Sequence, residues 1–255
     1  MSAMPRLNHW LKSRRQRRAD RRRMRETRSR RRRTLFEQLE DRTLLAIVWW
    51  DGGAGTSNWD DAANWIDVDG DGLDDLPGLN DDVIINDGDA NTTFTVNISG
   101  GTHGVNTLDC HEQLDVSGGS VDIADTSEIT SLTLRGGTLS GAGDLTITDQ
   151  FTWEGRPNAP GTMTGTGTTT VAAGATLNLS GTYSRVLDGR RLVIAEATGT
   201  APAAEAIWTG SSNIMLDNGA EFENAGTFDI QSEYTTIQHG GNGAVSTFSN
   251  TGTLR

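Results

Sequence analysis

Between residues 83 and 255 apolar and polar residues alternate in short runs. The clearest are Val83-Ile84-Ile85, Phe94-Thr95-Val96-Asn97-Ile98, Val121-Asp122-Ile123, Leu132-Thr133-Leu134, Leu145-Thr146-Ile147 and Leu177-Asn178-Leu179. Period-two alternation places one set of side chains on each side of an extended backbone, so each run predicts a strand. Threonine and β-branched residues fill the runs, as pleated surfaces favour. Gly, Asn, Asp and Ser bound them, which supplies turns. No segment carries a convincing helical period; residues 201–207 are the only helix-tolerant patch.

The runs recur. A small pair, one residue, then an apolar one appears at Gly118-Gly119-Ser120-Val121, Gly136-Gly137-Thr138-Leu139, Gly174-Ala175-Thr176-Leu177 and Gly219-Ala220-Glu221-Phe222. The step from Gly118 to Gly136 reads as one period, and the two longer steps that follow read as about two periods each. Phe222-Glu223-Asn224-Ala225-Gly226-Thr227-Phe228 returns near the end of the chain as Phe248-Ser249-Asn250-Thr251-Gly252-Thr253-Leu254. An imperfect period of about 18–26 residues predicts stacked coils that bury inward side chains against their neighbours. The predicted class is all-β, a single-stranded parallel β-helix (β-solenoid) of roughly 7–9 coils. Inward Leu, Ile, Val and Phe would fill the core, and glycines would take the corners. A β-sandwich is the rival architecture, because its strand spacing also fits.

Charge divides the chain more sharply than its net value of −12 suggests. Residues 1–46 hold 16 basic and 5 acidic residues, and residues 47–255 hold 6 and 29. None of the 31 glycines precedes Gly52. The leader is about two thirds arginine between Arg14 and Arg33, so on its own it reads as disordered or as a frayed helix. Phosphate binding, contact with anionic lipid and the basic flank of an export signal all fit such a run. The apolar stretch that follows, residues 44–50, is short for an ordinary signal peptide. No run is long and apolar enough to predict a transmembrane segment.

Phe36-Glu37-Gln38-Leu39-Glu40-Asp41-Arg42-Thr43-Leu44-Leu45-Ala46 resembles the LEPR-XLL motif, found near the N-terminus of large secreted proteins of planctomycete-type bacteria. Leu39, Glu40, Arg42, Leu44 and Leu45 match, while Asp41 stands where the motif has proline. The resemblance implies a sorting role and an extracellular or cell-surface location. Trp49-Trp50-Asp51-Gly52-Gly53, Asn58-Trp59, Asn64-Trp65 and Asp81-Asp82-Val83-Ile84-Ile85 resemble the opening of bacterial autotransporter-adhesin-like β-solenoids. That likeness implies a surface-exposed structural or adhesive module. The expected organisation is a leader at 1–46, a Trp/Asp-rich capping segment at 47–82 and solenoid coils at 83–255. Four tryptophans within residues 49–65 would plug the first coil, and a sugar-binding platform is the competing reading.

Asp67-Val68-Asp69-Gly70-Asp71-Gly72-Leu73-Asp74-Asp75 carries the strongest chemical signal. Asp67, Asp69, Asp71 and Asp75 occupy positions 1, 3, 5 and 9 of a loop in which alternate carboxylates converge on one hard cation. The loop resembles the calcium loops of dockerins and thrombospondin type 3 repeats. Gly78 stands at position 12, where an EF-hand has its bidentate glutamate, so Asp81 or Asp82 would have to complete the shell. An acidic solvated loop is the alternative.

Catalytic signals are weak. The single cysteine excludes an intrachain disulfide and, beside His111, reads as a buried thiol next to a surface imidazole rather than a dyad. Asp188, Arg190 and Arg191 read as a turn between coils. The expected function is that of a non-enzymatic, exported structural or adhesive module with calcium as its cofactor. Its expected partners are cell-surface or extracellular matrix components, and not nucleic acid. Self-association through an open C-terminal coil is a further expectation. The alternative is an extracellular polysaccharide lyase or hydrolase on the same scaffold, which clustered carboxylates along one outer face would reveal.

Overall fold

Each alternating run stacks in parallel on the run one coil earlier, and the stack has three faces. The computed structural model describes residues 46–67, 76–86, 88 and 93–255. Within them the chain is a single-stranded parallel β-helix, as the alternation predicts.

On the first face, Ile85, Cys110, Ile129, Ile147, Val171, Ile194, Asn224 and Asn250 form one inward column. On the second, Ile98, Val116, Leu134, Trp153, Leu179, Trp208 and Ile230 do the same. The third-face column is His103, Val121, Leu139, Met163, Leu187, Leu216 and His239, one member per coil. Inward neighbours two residues away, such as Leu108, Leu132 and Phe151, are buried as well, and the side chains that alternate with them face outward, so one dry core runs through the described stack. Each fully buried Leu, Ile or Phe in it contributes about 1.5–3 kcal/mol relative to exposure.

Coil length varies without loss of register. On the first face the shortest coil runs from Ile129 to Ile147 and the longest from Ile194 to Asn224. The repeat of 222–228 at 248–254 is a true coil: Phe222 pairs with Phe248 and Phe228 with Leu254. The glycine motif is not a coil marker. Val121 and Leu139 are register partners on the third face, whereas Leu177 lies on the second and Phe222 on the first. The motif therefore marks entry into any face, because every corner needs a tight turn followed by an inward apolar residue. Residues 201–207 are not helical either; they end a loop and enter the strand Glu205–Trp208.

Corners stack closely enough to demand glycine. Gly141 and Gly165 have φ of +114° and +96°. A Cβ on Gly165 would sit 2.2 Å from the Gly141 carbonyl oxygen, and one on Gly141 would sit 2.0 Å from that of Ile123. Such stacking brings carbonyls together inside the corner, and Arg190 meets them. Its Nη2 donates to Gly143 O at 2.9 Å, its Nη1 to Gly141 O at 3.1 Å, and its Nε to Thr169 Oγ1 at 2.8 Å. Arg185, an inward residue on the third face, donates to the carbonyls of Trp153 and Ser180 and to Ser212 Oγ at 2.7 Å. Both side chains are fully buried. A charge inside the core survives because carbonyl oxygens of several coils surround it.

The N-terminal end is closed differently. Strand Ile47–Trp50 pairs in parallel with Asp82–Ile85 on one side and antiparallel with Trp65–Asp67 on the other. This is the one antiparallel pairing between strands among the described residues. Residues 57–59 lie along the second face, where Trp59 N donates to Asn97 O at 3.0 Å and Asn97 N to Ser57 O at 2.7 Å. Trp50, Trp59 and Trp65 are buried there, with Trp65 ring centroids 4.9 Å from Trp50 and 4.7 Å from Trp59. Buried Asn64 holds the turn: its Oδ1 accepts from Ala54 N, and its Nδ2 donates to Thr56 Oγ1 and Asn58 O.

Candidate functional site

The sequence-predicted residues separate into those the structure describes and those it does not. Leu39, Glu40, Arg42, Leu44 and Leu45 lie outside the described residues. So do Asp69, Asp71 and Asp75; Asp67 is placed only as the end of a strand whose backbone pairs with Val48. The two carboxylates that could complete the cation shell already have donors. Asp81 Oδ2 accepts from Gly78 N at 2.7 Å, and Asp82 Oδ1 accepts from Asn106 Nδ2 at 2.7 Å and Thr107 Oγ1 at 2.8 Å. Among the described residues no group of three or more His, Cys, Asp or Glu side chains stands where it could hold a metal ion.

Outer carboxylates are spread over the three faces. Asp109 and Glu128 are register neighbours on the first face, with His111 Nε2 3.1 Å from Asp109 Oδ1. Asp188 and Asp217 are neighbours on the third, where Asp188 accepts from Thr164 and Asn218. Asp115 is paired with Arg135 on the second. Arg191 pairs with Glu223, and with Glu221 at 3.6 Å; Arg255 pairs with Glu205 at 2.6 Å and Asp229 at 3.6 Å. General acid–base hydrolysis needs two carboxyl groups facing one substrate. Among the described residues Asp109 with Glu128 and Asp188 with Asp217 are neighbours across coils, while Glu221 with Glu223 and Glu205 with Asp229 each share an arginine.

The charged turn predicted at Asp188, Arg190 and Arg191 is a corner, but its members diverge. Asp188 and Arg191 face outward, while Arg190 turns into the core. Burial lowers the Arg185 and Arg190 guanidinium pKa values to about 10. Cys110 is buried, and burial pushes its thiol up to about 12, so it is no nucleophile at neutral pH. His111 points away to the exposed side, beside Asp109. The expected separation of thiol and imidazole is what the fold produces, because successive side chains on a strand face opposite ways.

A concave site absent from the sequence reading lies where the cap meets the first coil. Trp49, Trp50 and Phe94 form the apolar wall of a pocket of about 530 Å³, and Asp51, Thr56 and Asn86 form its polar rim. Trp50 and Phe94 stack with ring centroids 6.2 Å apart. Trp49 remains 44% exposed, unlike the three buried tryptophans of the cap. The aromatic cluster was legible as a cap or a platform; the partition of its members between the two was not. Among the described residues no helix is long and apolar enough to cross a membrane. Comparison with known protein families, with curated proteins and with solved structures gave no match.

Proposed function

We propose that this chain is an exported, cell-surface β-solenoid with a structural or adhesive role. The observation that carries the reading is the division between a continuous dry core and three solvent-facing sheets. The outward positions are largely hydroxyl, amide and carboxylate side chains, as in the second-face series Asn97, Asp115, Thr133, Thr152 and Asn178. Such a scaffold offers long contact surfaces and uses its apolar residues for rigidity. The body's 29 acidic against 6 basic residues oppose binding to nucleic acid and anionic membranes and favour divalent cations or neutral surfaces.

In this reading the leader with Leu39, Glu40, Arg42, Leu44 and Leu45 is a sorting address. The Asp67, Asp69, Asp71 and Asp75 loop takes calcium and ties the cap to the first coil. Its partners are components of the cell surface or extracellular matrix. N-terminal sequencing of the native protein, with fractionation of the cells that make it, tests the proposal. Recovery outside the cytoplasm, starting near residue 47, is the expected result. A cytoplasmic protein that retains residues 1–46 would sink it.

A further inference from the structure

We infer that the pocket between the cap and the first coil is a binding site for a neutral saccharide. Its wall and rim come from three separate stretches that the fold assembles. Trp49 and Trp50 end the first strand and Asp51 follows it, Thr56 belongs to the turn that Asn64 holds, Asn86 follows strand Asp82–Ile85, and Phe94 precedes strand Thr95–Val105. Register brings them together, because Trp49 pairs with Ile84, close before Asn86. A volume of about 530 Å³ is in the range of small-ligand sites.

The chemistry selects the ligand class. Sugar rings present an apolar C–H face and a rim of hydroxyl groups. The 44% exposed Trp49 indole offers an aromatic surface for that face, and Phe94 lines the same pocket. The rim polar groups are fixed in advance by local hydrogen bonds. Asp51 Oδ1 accepts from Gly53 N at 2.8 Å, Asn86 Oδ1 accepts from Gly88 N at 2.7 Å, and Thr56 Oγ1 donates to Asp61 Oδ2 at 3.0 Å. On the rim of one pocket, Asp51 carries a carboxylate acceptor and Asn86 an amide donor, the pair that adjacent sugar hydroxyls require. Preorganised polar groups lose little freedom on binding. Among the described residues Asp51 is the only charged group of the lining, so a uronate or sulfated sugar is repelled and a neutral one is not.

Trp49 is the discriminating residue, because it lies outside the core. Isothermal titration of the full chain with neutral hexasaccharides (β-1,4-glucan, β-1,4-xylan, β-1,4-mannan and α-1,4-glucan) is the test, with a hexamer of galacturonate as the charged control. At least one neutral sugar binds the wild-type chain. Trp49→Ala weakens that binding about ten-fold or more through loss of the aromatic contact, and Trp49→Phe restores most of it. Asp51→Asn, which keeps the shape, weakens it less and lets galacturonate bind better. If Trp49→Ala does not fold, the Trp49→Phe and Asp51→Asn arms still decide. The inference is overturned if no neutral hexasaccharide binds at millimolar concentration, if Trp49→Ala binds as tightly as wild type, or if galacturonate binds wild type as well as the neutral sugars do. Binding by the purified chain does not depend on where cells send it, so this site and the export proposal can fail separately.

Discussion

Arg190 Nη2 lies 2.9 Å from the carbonyl oxygen of Gly143, a residue 47 positions earlier in the chain. One guanidinium therefore joins corners of successive coils. Replacing Arg190 with Met removes its bonds to the Gly141 and Gly143 carbonyls, of which Gly141 O keeps a donor in Gly167 N. A buried carbonyl left without its donor costs about 1–3 kcal/mol. The expected outcome is a clear fall in the urea midpoint for Arg190→Met. Arg191→Ala breaks only exposed pairs with Glu221 and Glu223 and should change stability by less than about 1 kcal/mol. Equal midpoints for the two variants would refute the corner argument.

Cys110 gives a pH dependence of defined sign. The folded thiol titrates near 12, above its ordinary 9.0, so the folded state holds the proton more tightly than the unfolded one. Its stabilising contribution is complete below pH 9 and is lost as pH rises towards 12. Arg185 and Arg190 act in the opposite direction, but only above about pH 10. Unfolding measured from pH 8 to 10 should therefore show wild type losing stability faster than Cys110→Ala. Parallel pH profiles would remove Cys110 as the cause.

Calcium should bind through the acidic loop. Titration of the chain with calcium is expected to release heat and raise the unfolding temperature. Asp69→Ala combined with Asp71→Ala should abolish both effects, because each removed carboxylate takes away charge and a ligand. Identical heats from the two proteins exclude the loop as the site.

The architecture was legible because inward and outward residues obey the strand period over most coils. Leu132, Leu134, Leu145, Ile147, Leu177 and Leu179 are all buried, as their alternation demands. Arg185 was not legible. It occupies an inward position in register with Gly161 and Ile214, and only the placement of the Trp153 and Ser180 carbonyls explains how a guanidinium can stand there. The glycine motif misled about period for a related reason: local sequence specifies a corner but not which of three corners it is. The pocket is not legible in the sequence because Asn86 and Phe94 join Trp49 only through the pairing of two strands that stand far apart along the chain.

Register is kept whether a coil is as short as Ile129 to Ile147 or as long as Ile194 to Asn224, and the surplus leaves through the corners. The loop at 195–204, closed by a small bridge between Thr198 and Ala201, is such an outlet. Lengthening a loop whose ends are already fixed adds only slowly to its closure entropy. Heredity can therefore rewrite these outlets one at a time while the columns beneath them stay the same. A chain built this way can acquire new recognition without having to rediscover how to fold.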